Sequence, residues 1–142
     1  MIIVNIDGLC EPVNPGGIAT YGYLICDADG SLIAKKSGYV GKGPLMSNNV
    51  AEYAALCESL DILLRRHLED AAIMVRSDSK LVVNQMAGNW KFHKGLYKGN
   101  YEKAKLLATK FTRLSFQWIP REQNEEADQL TRDAYELARK HP

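Results

Sequence analysis

The chain has too few cysteines, spaced too far apart, for a disulfide framework or a cysteine-based metal site. The three are Cys10, Cys26 and Cys57, and none stands in a CxxC or Cys/His spacing. We therefore expect free thiols and a cytoplasmic protein, because the cytoplasm keeps thiols reduced.

Long apolar runs and an excess of one charge are missing too. No apolar run approaches the ~18 residues of a membrane helix, and no basic leader precedes such a run, so we expect neither a membrane span nor a signal peptide. The 18 basic and 17 acidic residues leave a net charge of +1, so any nucleic-acid-binding surface has to be a local patch. The 142 residues are 46% hydrophobic and contain no repeat or linker, which predicts one domain over 1–142.

Hydrophobic periodicity predicts a mixed α/β fold. Three β-rich segments come first, and the turn sequence DADG separates the second from the third. The full order is β-β-β-α-β-α-α-β-α, which predicts a five-stranded mixed sheet, antiparallel then parallel, with helices on both faces. The predicted strands are 1–7, 18–27, 31–41, 71–76 and 114–119, and the predicted helices lie in 49–68, 77–88, 96–112 and 123–139.

Apolar residues at helical spacing mark the expected core faces of the longer helices, and a polar residue marks the start of the first. Ser47 or Asn48 is the expected N-cap of the first helix. The expected anchors are Tyr53, Leu56, Leu60, Leu63 and Leu64, then Leu106, Leu107 and Phe111, and finally Ala127, Leu130, Ala134 and Leu137.

Four acidic residues stand where a surface acid has no reason to be. Asp7 ends the first predicted strand and Asp78 directly follows the fourth, at strand ends where α/β sheets place their chemistry. Glu52 borders the apolar stripe of the first long helix, and Asp128 follows Ala127 in the first turns of the last. Carboxylates near a core are costly unless neutralised. Converging oxygen ligands without His or Cys suit Mg²⁺.

Each acid also has a purely structural interpretation. Asp7 could cap the DG turn, and Asp78 could be the N-cap of the short helix after it. Asp128 could pair with Arg132 one turn on, and Glu52 could serve the dipole of its helix. The four together, at strand ends and helix starts, favour a shared site over four separate roles.

The segments around these acids resemble the type 1 ribonuclease H family. The matching motifs are DG.C...NPGG, SNNVAEYAAL, SDSKLVVNQMAGNWK and WIPREQNEEADQLTR, which together run through nearly the whole chain. The resemblance implies the ribonuclease H fold and an endonuclease that cleaves the RNA strand of RNA–DNA hybrids with Mg²⁺, for which Mn²⁺ may substitute. The family's catalytic, metal-binding set of Asp, Glu, Asp and Asp falls on Asp7, Glu52, Asp78 and Asp128.

The resemblance further implies a two-metal mechanism. Two ions about 3.5–4 Å apart lower the pKa of the attacking water and stabilise the departing 3′ oxygen. Asp7 would hold both ions, Glu52 and Asp78 the ion on the leaving-group side, and Asp128 the ion beside the water. The products would carry 5′-phosphate and 3′-hydroxyl ends.

The same match implies which residues touch the hybrid. An amide side chain both donates and accepts, which suits the 2′-hydroxyl of RNA, and the SNN motif supplies Asn48 and Asn49. Ser47 and Asn14 match positions that hold a DNA phosphate. The alternatives are plain N-capping for SNN and a hairpin loop without ligand contact for VNPGG.

Three further contacts to the RNA strand are implied. The backbones of Gly8 and Cys10 would lie against it, where glycine permits close approach. Lys80 stands where relatives often carry Gln, and would meet a phosphate or a base edge.

The segment NWKFHKGLYKGNY is a local basic and aromatic patch of the kind that binds phosphates. The expected contacts are Trp90 and Lys91. Alternatively, this segment is a solvated loop whose aromatic side chains cap the core. The alternating residues are Lys91, Lys94 and Lys98 with Trp90, Phe92, Tyr97 and Tyr101.

The loop before the last helix departs from the family pattern. Many relatives carry a His there, whereas this loop reads PREQNEE. We hypothesise that Arg121 assists metal or product turnover in its place; Glu122 is the alternative, and Asn124 is a possible accessory residue.

Two other functions fit parts of the pattern. One is a different nuclease of the same fold, such as a junction resolvase or an integrase core, and the other is a binding module without catalysis. The SNN pair, the NEEAD helix and the intact acid set favour the hybrid-cleaving enzyme. We expect a monomer that binds an RNA–DNA hybrid and no membrane.

Overall fold

Strands and helices follow one another in the predicted order in a computed structural model that describes residues 1–141. None of the helices in that range is long and apolar enough to cross a membrane. A short 3₁₀ helix, Arg121–Gln123, precedes the last helix. The elements are β1 (Ile2–Glu11), β2 (Ile18–Cys26), β3 (Leu32–Lys42), α1 (Asn48–Arg65), β4 (Ala72–Ser77), α2 (Lys80–Met86), α3 (Lys98–Ala108), β5 (Arg113–Trp118) and α4 (Glu125–Lys140).

The five strands form one mixed sheet in the order β3-β2-β1-β4-β5. β1 pairs antiparallel with β2, and β2 with β3, whereas β1 pairs parallel with β4, and β4 with β5. The predicted fold class is therefore confirmed. The central position of β1 places the early motif between the antiparallel and the parallel halves of the sheet.

The predicted end of the first strand at Asp7 is wrong, because the strand continues to Glu11. Residues 8–11 remain extended because they pair with residues 18–21 of β2. Pairing with β4 stops at Asn5, however, so the β4 side of Asp7 is free of strand contacts. Asp7 thus lies beyond the end of the parallel ladder, although not at the end of its strand.

Helices α1 and α4 cover opposite faces of the sheet. A side chain at Gly8 would point into the backbone of α1, and one at Gly22, the strand partner of Asp7, would point into α4. The α1 stripe of Tyr53, Leu56, Leu60 and Leu63 is buried as predicted, and Leu64 packs at its edge. Ser47 is the N-cap of α1, since its Oγ accepts a hydrogen bond from Val50 N.

Two predicted core anchors are wrong, because the helices carrying them meet the core through narrower faces. Leu106 in α3 is 65% exposed, since α3 packs on α1 through Ala104 and Leu107. Leu137 in α4 is 63% exposed, since the buried side of α4 follows Ala127, Thr131 and Ala134. Phe111 lies beyond the end of α3 and is partly buried. Leu130 is also only partly buried.

The three cysteines are free, and Cys10 and Cys57 are buried.

Candidate active site

Three of the four predicted acids converge beside β1, where its pairing with β4 has ended. Carboxylate oxygens of Asp7, Glu52 and Asp78 all lie within 4.8 Å of one another. They line a polar cavity of about 260 Å³. The cavity is lined by Asp7, Gly8, Leu9, Cys10, Glu11, Asn48, Glu52, Asp78, Arg121, Asp128 and Arg132.

Local structure explains how each of the three carboxylates reaches the cavity. Asp7 extends beyond the parallel ladder, and Asp78 follows the last residue of β4. The alternative role of Asp78 as an N-cap is wrong, because Ser79 caps α2 by accepting a hydrogen bond from Val82 N. Glu52 belongs to α1, which approaches β1 closely at Gly8.

The cluster holds its acids in an unfavourable electrostatic environment. Burial, followed by the charges of Asp78 and Glu52, raises the pKa of Asp7 to about 9. Burial and the charge of Asp78 raise the pKa of Glu52 to about 8. Burial also raises the pKa of Asp78, against the lowering effect of Arg121. The neighbouring positive charge is therefore too weak to offset burial and the repulsion between the carboxylates.

The donor set fits a hard divalent cation. Glu52 Oε2 is buried and has no hydrogen-bond partner, so one ligand oxygen is unsatisfied within the cluster. All three acids offer oxygen, the ligand that Mg²⁺ and Mn²⁺ prefer. A bound cation would satisfy that oxygen and reverse the repulsion that raises the carboxyl pKa values.

Asp128 lines the same cavity but lies outside the cluster of three. Its Oδ2 accepts a hydrogen bond from Arg132 Nε at 3.0 Å, so the structural interpretation of this acid is also correct. Its side chain makes a smaller contribution to the raised pKa of Asp7, after burial and the charges of Asp78 and Glu52. The other arm of Arg132 comes within 3.9 Å of Glu11 Oε1.

The two accessory candidates have different positions. Arg121 lines the cavity beside Asp78, as a residue acting on the site should. Asn124 does not line it and is 1% exposed. Its Nδ2 donates to Ile6 O at 2.8 Å, and its Oδ1 accepts from Asn5 Nδ2 at 3.3 Å. Asn124 therefore holds the start of α4 against β1.

Three of the nine predicted hybrid-binding residues, Cys10, Asn14 and Asn48, form one hydrogen-bonded group, and Cys10 and Asn48 also line the cavity. Asn14 Oδ1 accepts from Asn48 N, and Asn48 Oδ1 accepts from Cys10 N, each at 2.9 Å. Ser47 adds the N-cap of α1 to this group, so the capping interpretation of SNN is correct as well. Asn49 follows in the first turn of α1 and does not line the cavity.

Gly8 lines the cavity, and its lack of a side chain has a structural cause. A Cβ there would lie 2.3 Å from Glu52 N and 2.4 Å from the carbonyl carbon of Ala51. Glycine thus permits close approach of α1, besides any approach of a nucleic acid.

The basic aromatic patch divides into a core part and a surface part. Phe92, Tyr97 and Tyr101 pack around Tyr53, with the rings of Tyr53 and Tyr97 stacked at 5.5 Å, so the core-capping interpretation holds for three of the four aromatics. Trp90 is 48% exposed. It lines a second cavity, of about 610 Å³, together with Lys91, His93 and Lys94.

The sequence interpretation missed three residues at the site. Glu11 and Arg132 line the cavity, and the only signal for Arg132 was its i+4 spacing from Asp128. Trp118 is the last residue of β5 and donates its indole N–H to Asp78 O at 3.1 Å. Its ring also lies 5.0 Å from Lys80 Nζ, a cation–π contact with the side chain two residues after Asp78.

Comparison with known proteins gives a consistent result. A family model described as reverse transcriptase-like matches residues 5–134. The bifunctional protein Rv2228c of Mycobacterium tuberculosis is 39% identical over 139 residues, which are 96% of this chain and 36% of that protein. Ribonuclease HI of Halobacterium salinarum is 33% identical over 125 residues, which are 88% of this chain and 60% of that protein. The chain thus spans about a third of the mycobacterial relative's length.

A solved structure supports the same relationship. The crystal structure of LC11-RNase H1 in complex with an RNA/DNA hybrid superimposes with a TM-score of 0.88 and 35% sequence identity. The match covers 97% of this chain and 99% of that one.

Proposed function

This chain belongs to the type 1 ribonuclease H family, and from that premise we propose that it hydrolyses the RNA strand of RNA–DNA hybrids with divalent metal ions. The observation that carries the proposal is the convergence of carboxylate oxygens from Asp7, Glu52 and Asp78 within 4.8 Å. Such a cluster suits metal-assisted phosphodiester hydrolysis. Products with 5′-phosphate and 3′-hydroxyl ends belong to the same proposal.

We assign the metal site to the four acids, with two Mg²⁺ ions as the physiological occupants and Mn²⁺ as a substitute. Bound ions would supply the Lewis acidity that activates the attacking water and neutralises charge on the departing 3′ oxygen. Asp7 would hold both ions, since it belongs to the cluster of three and Asp128 lines the same cavity. Glu52 and Asp78 would hold the ion on the leaving-group side, and Asp128 would help to hold the ion beside the attacking water.

The cavity mouth would hold the RNA strand through polar groups of β1 and α1. Asn48 Oδ1 already accepts from Cys10 N, which leaves the Asn48 amide N–H groups to donate to the substrate. Asn14 fixes the position of Asn48 from the other side. Asn49 is proposed as the second amide contact, and Gly8 as the point of closest backbone approach.

Contacts farther from the acids would hold the two backbones. Ser47 and Asn14 are proposed to hold a DNA phosphate. Trp90 and Lys91 form an exposed aromatic and cationic pair at the second cavity, suited to sugar and phosphate contact. Lys80, held by Trp118, would reach a phosphate near the acids.

Arg121 is proposed to assist turnover where many relatives use a histidine. It lines the cavity, and its positive charge opposes part of the rise in the pKa of Asp78, so it acts on the cluster. The proposal also includes a single catalytic domain, a monomeric state and a cytoplasmic location, which the free thiols favour.

The proposal is tested by a cleavage assay on a labelled RNA–DNA hybrid beside matched DNA and RNA duplexes, with Mg²⁺, Mn²⁺ or chelator. We expect metal-dependent cleavage of the hybrid's RNA strand. Asp7→Asn should lower cleavage by roughly a hundredfold or more, because a central ligand is lost, while hybrid binding is retained.

Asp133→Asn is the matched control. Asp133 is exposed on α4, accepts a hydrogen bond from Gln129 and does not line the cavity. It should cleave as the wild type does. Full activity of Asp7→Asn, or cleavage in chelator, would exclude the assigned mechanism. Equal cleavage of the DNA duplex would indicate another nuclease of the fold, and binding without cleavage a non-catalytic module.

A further inference from the structure

The charges around the cavity are unevenly distributed. Its walls carry two arginines, and both face acids. The charge of Arg121 acts on Asp78, which belongs to the three-acid cluster, whereas Arg132 binds Asp128 directly. Asp128 is therefore the only one of the four predicted metal ligands that forms a direct ion pair within the described residues 1–141.

Helix geometry places the two residues of this ion pair next to each other on α4. Asp128 and Arg132 are separated by one turn, so their side chains lie on the same face of the helix. Arg132 Nε donates to Asp128 Oδ2 at 3.0 Å, and Arg132 Nη1 lies 3.9 Å from Glu11 Oε1. The guanidinium thus connects α4 with the end of β1 along the cavity wall.

In this arrangement Asp128 lies outside the cluster of three, and its Oδ2 is engaged by Arg132. An oxygen engaged by a guanidinium cannot at the same time offer its full charge to a metal ion. The Arg132 side chain is 39% exposed, so it can turn toward solvent and leave the Asp128 carboxylate free to bind a cation.

We propose that Arg132 competes with divalent cations for the Asp128 carboxylate, and that this competition weakens metal binding on the Asp128 side of the site. The inference rests on the proposed function for the identity of the cation. Arg132 is a positioning residue in this scheme, because it acts on the metal site through Asp128. Its positive charge adds to the effect, since it repels a cation entering the same cavity.

The test is calorimetric titration of Mn²⁺ and of Mg²⁺ into the protein without nucleic acid. Arg132→Gln should bind Mn²⁺ roughly three- to tenfold more tightly than the wild type, because a carboxylate is freed and a positive charge removed. Arg132→Lys should shift the affinity in the same direction by less, since Lys keeps the charge but not the planar fork.

Arg139→Gln is the matched control on the same helix. Arg139 pairs with Glu136 at 2.7 Å and lines no part of the cavity, so its replacement should leave metal affinity unchanged. In an Asp128→Asn background, Arg132→Gln should lose most of its effect, because the carboxylate under competition is gone.

Three results would overturn the inference: unchanged or weaker binding in Arg132→Gln, an equal shift in Arg139→Gln, or a full shift in the Asp128→Asn background. If Arg132→Gln does not fold, Arg132→Lys decides, and unchanged affinity there overturns the inference as well. Since the titration contains no nucleic acid, a failure to cleave hybrids would refute the proposed function without altering this result.

Discussion

Gly8 sets the distance between α1 and β1, and with it the position of Glu52. We predict that Gly8→Ala lowers the free energy of unfolding by about 1–3 kcal/mol, because the new Cβ would lie 2.3 Å from Glu52 N and the backbone has to move. Metal binding should weaken with it, since Glu52 is displaced. Urea unfolding and Mn²⁺ titration measure the two effects.

Gly99→Ala is the control for Gly8→Ala. Gly99 lies in the first turn of α3, and a Cβ added there would have nothing within 4 Å, so alanine should raise stability by about 0.4–1 kcal/mol. An unfolding midpoint of Gly8→Ala equal to that of the wild type would show that the contact with α1 is not tight.

At the scale of single residues, the sequence predicted that these acids lie together but not the protonation state or partners of each. Asp7, Glu52 and Asp78 were recognisable because acids rarely stand next to strand ends and apolar stripes. The pairing of Asp128 with Arg132 was one of two interpretations, and both proved compatible with the structure. Which oxygen is free depends on rotamers and neighbours that a linear pattern does not contain.

At the scale of elements, the start of α4 depends on one buried amide. We predict that Asn124→Ala lowers the free energy of unfolding by about 1–3 kcal/mol, because Ile6 O loses its donor and stays buried. Cleavage should fall as well, since α4 carries Asp128. Gln129→Ala, an exposed change on α4, should stay within about 0.5 kcal/mol of the wild type.

Thermal or urea unfolding, run beside the hybrid-cleavage assay, measures both parts of that prediction. An Asn124→Ala protein with wild-type stability and impaired cleavage would contradict the structural role and restore the accessory role that the sequence suggested for this residue.

Helix faces were the least predictable part of the elements. Periodicity placed Leu137 on the inner face of α4, yet the helix packs through small residues against Gly22 and leaves Leu137 exposed. Similarly, the fully buried residues of α3 are Ala104 and Leu107, on the side that packs against α1, so Leu106 remains outside. Both errors arise because an apolar residue predicts burial only when a neighbouring element reaches its side of the helix.

At the scale of the whole molecule, the order of elements and the sheet class were readable because turn residues and periodicity are local signals. The cavity was not, because it is assembled from β1, α1, the end of β4 and α4. The resemblance to a family supplied that long-range information, since its motifs carried the acids as a set.

The assembled cluster couples folding to pH. Without metal, the folded chain holds protons on Asp7 and Glu52 up to pH values of about 9 and about 8. In the unfolded chain both carboxyl groups return to ordinary pKa values near 4. Between about pH 4 and pH 8 the unfolded chain therefore binds fewer protons, and these groups make the free energy of unfolding fall as pH rises.

Replacing Glu52 with Gln should remove the part of the pH-dependent fall in the free energy of unfolding that comes from Glu52. In chelator, Glu52→Gln should be about as stable as the wild type near pH 4 and more stable by roughly 2–4 kcal/mol near pH 8, with no further gain above its folded pKa. Added Mg²⁺ should stabilise the wild type more than the variant at pH 8, because the variant lacks one charged ligand. Urea unfolding from pH 4.5 to about 9, with Glu102→Gln on the exposed side of α3 as the control for a lost charge, measures the difference. A difference that is constant with pH, or that shrinks as pH rises, would mean that Glu52 is already ionised and neutralised without metal.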